Sequence, residues 1–503
     1  MGRVGFASGC ALDRTRFTEV TIRGTTQATR EGADMRVGVS KKIYYNLLVI
    51  VGILVLSATK THAEDRPPNI IMVFIDDMGW GDFSCFGDTT ASTPAIDELA
   101  AQGVRFTQFY VNSPICSPSR VALTTGQYPQ RWRIGSYLAS RSANQNRGIA
   151  EWLDPAAPTL ARMLHDAGYA TGHFGKWHMG GQRDVDDAPP ISDYGFDRSL
   201  TNFEGMGAKL LPLTMTPDGK EGRIWQDAER LGTPVTWMQR SAITGGFTAA
   251  ALDFIKEADA AKKPFYLNLW PDDVHSPFWP PVDQWQEGKQ EQYRAVLEAM
   301  DTQLAVLFEH IQNNKELAQN TLILICSDNG PEPGAGSAGP FRGAKATLYE
   351  GGIRSPLIVW GPGIVAQAAS GSTDTESCFA AFDLVPSLLE IAGIQHSEEI
   401  PFDGMDVSPA LRGEQSVNHG PIYWRRPPDR KMYKALGDTV LPDLAVRDGN
   451  WKLLCDYDGQ NIQLFDLQKD PGEKNNIAAD FEGVRDRLCR QLVSWHEDLP
   501  LDN

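Results

Sequence analysis

Two stretches constrain this chain more than any others. Residues 69–75 (Asn-Ile-Ile-Met-Val-Phe-Ile) and 321–326 (Thr-Leu-Ile-Leu-Ile-Cys) are apolar over the length of a strand. The first stops at Asp76-Asp77 and the second at Ser327-Asp328-Asn329. A strand with no polar alternation is buried on both faces, as in a parallel sheet covered by helices. Residues 169–174, 265–270 and 355–360 are further strands. Residues 159–167, 247–260, 291–313 and 383–392 carry helical periods, and Thr93 before Pro94 opens another helix. Strands that alternate with helices predict an α/β fold with a largely parallel sheet. In such sheets the ligand site lies outside the carboxyl ends of the strands, so residues far apart in sequence converge there.

The pattern changes near residue 420. Residues 444–456 and 463–467 read as antiparallel strands with a turn at Asp458-Gly459, and 481–495 as a closing helix. The expected organisation is an N-terminal extension and signal peptide over 1–63, a catalytic domain over 64–420 and a smaller antiparallel-sheet domain over 421–503. Residues 180–245, rich in Gly, Asp and Pro, read as loops over the site.

At the N-terminus, Arg36, Lys41 and Lys42 precede an apolar stretch at 47–56, and small and polar residues lead to Ala63. This is the layout of a secretory signal peptide cleaved after Ala63, with Met35 as a candidate start and 1–34 as an upstream extension. The expected location is secreted or periplasmic, without stable membrane insertion after cleavage. A net charge of −17 argues against general nucleic-acid binding, which needs a basic footprint. Seven cysteines in 503 residues are too few for a disulfide framework.

Cys116 stands at a helix start, before Ser117-Pro118-Ser119 and one turn before Arg120. A helix N-terminus and a guanidinium both favour a thiolate. The plainer reading is a small buried cysteine in a helix-capping loop. Asp76, Asp77, Asp328 and Asn329 offer oxygen ligands to a hard divalent cation. Taken singly, each pair is an ordinary strand-ending turn. Lys176 and His178 alternate in Gly175-Lys176-Trp177-His178, His275 stands in a proline-bounded loop, and Lys345 follows a glycine-rich stretch. Two lysines and Arg120 can neutralise a tetrahedral anion, and two histidines can move protons. Trp270, Trp279 and Trp285 are candidates for a sugar-stacking face.

Cys116-Ser117-Pro118-Ser119-Arg120, with Thr124-Thr125-Gly126 after it, resembles the main signature of the sulfatase family. Asp76-Asp77-Met78-Gly79-Trp80, Gly175-Lys176-Trp177-His178, Ser327-Asp328-Asn329-Gly330 and Lys345 with Glu350-Gly351-Gly352-Ile353-Arg354 match further blocks of that family in order and spacing. Leu464-Phe465-Asp466-Leu467 is similar to its C-terminal block. The weakest match is the loop around His275, where Asp272-Asp273 precede the histidine.

The resemblance implies an alkaline-phosphatase-like fold and hydrolysis of sulfate esters of carbohydrates or aryl alcohols. Cys116 would be converted to formylglycine by a maturation enzyme, and its hydrate would be the nucleophile. Asp76, Asp77, Asp328 and Asn329, with the modified Cys116, would hold Ca²⁺, with Mg²⁺ as the alternative. Arg120 would hold the hydrate and His178 would take its proton. Lys176 and Lys345 would bind sulfate oxygens, and His275 or Lys345 would assist the leaving oxygen. Two other readings stand beside this one: a formylglycine-dependent phosphodiesterase or phosphonate monoester hydrolase, and a secreted glycan-binding protein with unmodified Cys116.

Overall fold

The computed structural model describes residues 66–87, 90–395, 400–427 and 441–500. The signal peptide expected within 1–63 lies outside them. Among the described residues, no helix is long and apolar enough to cross a membrane.

Twelve strands form one large sheet. They are β1 (Asn69–Ile75), β2 (Val104–Tyr110), β3 (Ala170–Gly175), β4 (Arg198–Thr201), β5 (Lys209–Met215), β6 (Glu221–Arg223), β7 (Val235–Gln239), β8 (Phe265–Trp270), β9 (Thr321–Ser327), β10 (Arg354–Trp360), β11 (Ser372–Asp374) and β12 (Phe379–Ala380). The order is β11-β2-β10-β9-β1-β8-β3-β4-β5-β6, with β12 on β2 and β7 on β5. The run from β9 through β1, β8, β3 and β4 to β5 is parallel, whereas β10 is antiparallel to both its neighbours. A second sheet of β13 (Ile422–Arg425), β14 (Leu444–Asp448), β15 (Trp451–Cys455) and β16 (Gln463–Asp466) is antiparallel throughout.

β1 shows why the central strands lack polar alternation. Ile70, Met72 and Phe74 enter one core cluster, and Ile71, Val73 and Ile75 enter another. Helices Leu160–Asp166 and Leu384–Ile391 pack on the first face, and Pro94–Gln102, Ile243–Ala260 and Lys289–Asn313 on the second. Both faces of the strand are therefore removed from water, as its composition requires.

Three expectations change. The segment 180–245 is not only loops, because β4 to β7 extend the large sheet. Pro212 inside β5 and the shortness of β4 and β6 hide the strand pattern. Residues 444–456 are two strands, not one, folded at Gly449, whose φ is +60°. Gly449-Asn450 is the two-residue loop, and glycine at its first position is what such a hairpin demands. Thr93 does precede the helix Pro94–Gln102, but its side chain caps no helical N–H. The Asp301 carboxylate, from the helix Lys289–Asn313, instead accepts from the N–H groups of Ala95 and Ile96.

Candidate active site

Register sets the site. Ile75 pairs with Ser327, and Gly175 with Trp270, so β1, β9, β3 and β8 end side by side. Asp76 and Asp77 thus emerge beside Asp328 and Asn329, with Lys176, His178 and His275 on the other flank. Two antiparallel steps make β2 run in the direction of β9, so its carboxyl end opens on the same edge. From there the chain passes through Asn112 to Cys116. Lys345 reaches the same edge from the loop before β10.

Cys116 is itself the first residue of the helix Cys116–Thr125, and Gly126, in the left-handed region, closes it. Its Sγ lies 3.9 Å from Asp77 Oδ1. Asp76, Asp77, Cys116 and Asp328 each present a ligand atom within 4.8 Å of the others, and Asp76, Cys116 and His275 form a second such group. The thiolate expectation fails here. Burial, and next Asp76, push the Cys116 thiol well up. Arg120 cannot offset this, because its charge is committed elsewhere. Its Nη2 donates to Asp328 Oδ2 at 2.7 Å and lies 3.4 Å from Asp76 Oδ1, and its Nη1 donates to the Lys176 carbonyl at 3.0 Å.

The remaining cations are paired in the same way. Lys176 Nζ donates to Asp76 Oδ2 at 2.6 Å, and Lys345 Nζ to Asp77 Oδ2 at 2.5 Å. His275 Nε2 stands 3.5 Å from that same Asp77 oxygen, and its Nδ1 is 2.8 Å from the Ser276 carbonyl. Burial alone would raise the Asp76 carboxyl, but Lys176, His275 and Arg120 outweigh it and hold the carboxyl well below its ordinary range. Asp328 goes the other way, pushed up by burial and by Asp76. Burial, with Lys176 nearby, lowers both His178 and His275. Lys345 and His275 side chains are 15% and 28% exposed, whereas Asp76, Asp77, Arg120 and Asp328 are fully buried. The site therefore opens on the Lys345 and His275 side.

A hard divalent cation fits this donor set. Asp76 Oδ1 and Asn329 Oδ1 are buried and accept no hydrogen bond, while Asn329 Nδ2 donates to Asp77 Oδ1 at 2.8 Å. Orphaned buried oxygens are costly unless a ligand uses them. Asp77 and His178 have φ of +61° and +55°, in the left-handed region that residues other than glycine rarely adopt. Such strain collects at functional sites.

Asp272-Asp273 follows the buried strand β8 much as Asp76-Asp77 follows β1. Their uses differ. Asp272 accepts from Asn202 Nδ2 and Arg240 Nη1, each at 2.7 Å, and its carbonyl accepts the His275 N–H at 3.1 Å. Asp273 accepts from the Thr244 hydroxyl, and burial pushes its carboxyl to about 6. The pair is a buried clamp that ties the His275 loop to the segment after β4 and to the entry of the helix Ile243–Ala260. Trp270 is no sugar platform: it is fully buried, and the Arg120 guanidinium lies 5.2 Å from its ring centre. Trp279 and Trp285 are half-buried, with ring centres 5.8 Å apart. Glu204, which nothing in the sequence singled out, is fully buried 3.8 Å from His178.

The sulfatase family model matches residues 68–394, a span that holds every residue of the site. The chain belongs to the sulfatase family. A second family model, the C-terminal part of N-sulphoglucosamine sulphohydrolase, matches residues 341–498 and so takes in the small sheet. This sulfatase is 31% identical over 420 residues to N-acetylgalactosamine-6-sulfatase of Canis lupus familiaris, covering 80% of this chain and 74% of that protein. It is 29% identical over 483 residues to arylsulfatase A of Homo sapiens, covering 87% of this chain and 89% of that protein. Among solved structures it is similar to Ps i-CgsB in complex with k-i-k-neocarrahexaose. There the TM-score is 0.70 and the identity 26%, with 86% of this chain and 93% of that chain covered. The chain is accordingly an arylsulfatase-like sulfuric ester hydrolase, and its large, mostly parallel sheet between helices, with a separate four-stranded antiparallel sheet, is an alkaline-phosphatase-like fold.

Proposed function

We propose that this sulfatase removes sulfate from carbohydrates, with formylglycine at position 116 and a divalent cation held by Asp76, Asp77, Asp328 and Asn329. The observation that carries the reading is the meeting of Cys116 Sγ with three carboxylates inside one 4.8 Å cluster. A thiol pushed up by burial is a poor nucleophile, so conversion of Cys116 by a maturation enzyme supplies what the thiol lacks. The names of the relatives favour a sulfated sugar over a simple aryl ester. Among hard cations, Ca²⁺ suits a flexible all-oxygen set with several carboxylates better than Mg²⁺. Secretion or export to a periplasm follows from the signal peptide read at the N-terminus. Residues 64–420 form the catalytic domain and 421–503 the smaller one.

Once present, the hydrated aldehyde supplies a hydroxyl nucleophile and a route for sulfate to leave, and the cation offsets charge on sulfate oxygens. The chain's own groups do the rest. Arg120, fixed by Asp328 and the Lys176 carbonyl, orients the residue at 116 one turn before it. Lys176 and Lys345 exchange their carboxylate partners for sulfate oxygens. His178, buried and neutral, accepts a proton. His275 and Lys345, on the open side, meet the leaving alcohol, and one of the two protonates its oxygen.

The test is a comparison of matched aryl sulfate, phosphate and phosphonate esters, using protein shown to carry the aldehyde. Sulfate is expected to be the preferred ester. A higher kcat/KM on the phosphonate monoester would move the chain to the phosphorus-ester reading. No turnover of any ester would leave the glycan-binding reading.

A further inference from the structure

His178 carries an asymmetry that the reading above does not use. Its Nε2 lies 3.0 Å from the Leu138 carbonyl oxygen. A carbonyl only accepts, so Nε2 bears the hydrogen and the neutral ring keeps its lone pair on Nδ1. Nδ1 is buried and has no partner among the described residues. On the Nε2 side stands Glu204, with Oε1 at 3.8 Å. That oxygen also accepts from Gln182 Nε2 at 2.8 Å, and Oε2 is buried with no partner among the described residues. Lys209 fixes the turn that carries Glu204, donating to the Thr201 hydroxyl at 2.8 Å and to the Gly205 carbonyl at 2.6 Å.

Burying Glu204 in this way does not serve the fold. A fully buried carboxyl with a single hydrogen-bond donor is costly, and an apolar side chain of similar size would serve the core better. What the carboxyl does have is a position facing the hydrogen-bearing side of His178. The other charged groups that act on the ring are Lys176 on its own strand end, Arg120 from the helix Cys116–Thr125 and Asp76 from β1. The two cations oppose a positive ring. Asp76 is already paired with Lys176.

We propose that Glu204 is a positioning residue for His178, which it faces from the turn after β4. It keeps the ring with its hydrogen on Nε2 and its acceptor, Nδ1, turned to the reacting group. This rests on the reading of His178 as the group that accepts a proton at the site. The Nε2–H stays with the Leu138 carbonyl while Nδ1 takes the proton. Burial pushes the Glu204 carboxyl up to about 8, so it faces the Nε2 side of the ring as a polar group at neutral pH and as a counter-charge once it ionises.

The test is a double-mutant cycle in fully converted enzyme, with Glu204→Gln and His178→Asn made singly and together. Glu204→Gln is expected to lower kcat about ten-fold, with KM within two-fold and an unchanged melting temperature. In the His178→Asn background the same change is expected to have no further effect. An equal loss in both backgrounds, or wild-type kcat in Glu204→Gln, would overturn the proposal. A His178→Asn variant of wild-type kcat would overturn the underlying reading as well, which makes the two failures distinguishable. A second readout needs no maturation. In Cys116→Ala protein, nitrogen-15 spectra of the histidine rings are expected to show His178, identified by its loss in His178→Asn, with hydrogen on Nε2. A ring with hydrogen on Nδ1 would overturn the proposal.

Discussion

Two buried clusters of charge in this molecule use the same residue types to opposite ends. One is the site at the strand ends, where Asp76, Asp77 and Asp328 face Arg120, Lys176 and Lys345. The other joins the two sheets. There Lys452 of β15 lies 2.9 Å from Glu350 Oε1 and 3.0 Å from Glu473 Oε1. Glu473 Oε2 accepts the Glu350 N–H at 2.7 Å. Glu350 Oε2 accepts from the Tyr110 hydroxyl at 2.6 Å and from Arg354 at 3.1 Å, and Arg447 of β14 closes on Tyr110. Both oxygens of Glu350 are used, and its partners come from both sheets. At the site, three carboxylates are crowded until Asp328 is forced up, and Asp76 Oδ1 is left without a hydrogen bond. One cluster uses both oxygens of Glu350 and holds the two sheets together, although Glu473 Oε1 has only its ion pair with Lys452 and burial pushes that carboxyl to about 7. The other keeps like charges close for something that binds there.

The largest contrast is expected from Asp328→Asn. Turnover should fall by at least ~10³-fold, because a ligand to the cation and the anchor of Arg120 are both lost. In chelator-treated protein, stability should fall by less than in Lys452→Met, since asparagine keeps an oxygen for Arg120 and Asp76 stays beside that guanidinium. Steady-state rates and denaturant melts check both halves. A large loss of stability would erase the distinction between the clusters.

Lys452→Met should do the reverse. It strands buried carboxylates and should cost about 3–5 kcal/mol of stability, while protein that remains folded keeps its kcat. Loss of kcat without loss of stability would place this cluster in the catalytic machinery.

Acidification sharpens the comparison with a smaller effect. Under the site, His173 is packed among Trp177, Phe196 and Trp270. Burial, with Arg120 nearby, lowers its imidazole from 6.5 to about 3. The unfolded chain therefore takes up this proton first. The stability due to a neutral His173 is complete above pH 6.5 and is lost as pH falls toward 3, at up to about 1.4 kcal/mol per unit. His173→Phe should reduce that slope by its own share, since His178 and His275, also lowered by burial, act in the same direction. Burial would raise Glu350, but Lys452, Arg354 and Arg447 hold it below its ordinary 4.5. Its contribution is present above pH 4.5 and is lost only below it. Melts across pH 3–7 separate the two. An unchanged slope between 6.5 and 5 in His173→Phe would show that this histidine does not contribute to it.

That the residues of the site meet was legible in the sequence because they end apolar strands, and strand ends in a parallel sheet share one edge. Asp76-Asp77 and Asp328-Asn329 each read alone as an ordinary turn, and only the strand ends taken together, with the family resemblance, pointed to one site. The ionisation of Cys116 was not legible, because the groups that govern it come from other elements. A helix start and Arg120 predict a thiolate, but Asp76 and Asp328 had already claimed that arginine. Asp272-Asp273 has the same local pattern as Asp76-Asp77 and became a clamp, since Arg240 and Asn202 reach it only after folding. Glu204 sits in a turn between short strands whose own pattern is broken by Pro212, and its partner His178 belongs to another strand end. The Asp301 cap on the helix that begins at Pro94 comes from 205 residues away, beyond any local rule.

The central claim is that catalysis depends on the aldehyde at position 116 in this cluster. The most direct measurement sets turnover of a sulfate ester against the aldehyde content of the peptide containing Cys116, read by mass spectrometry in preparations with and without a co-expressed maturation enzyme. Turnover is expected to rise in proportion to aldehyde content from zero. Equal turnover by protein that retains the thiol, or no turnover of sulfate esters by protein that carries the aldehyde, would contradict the account.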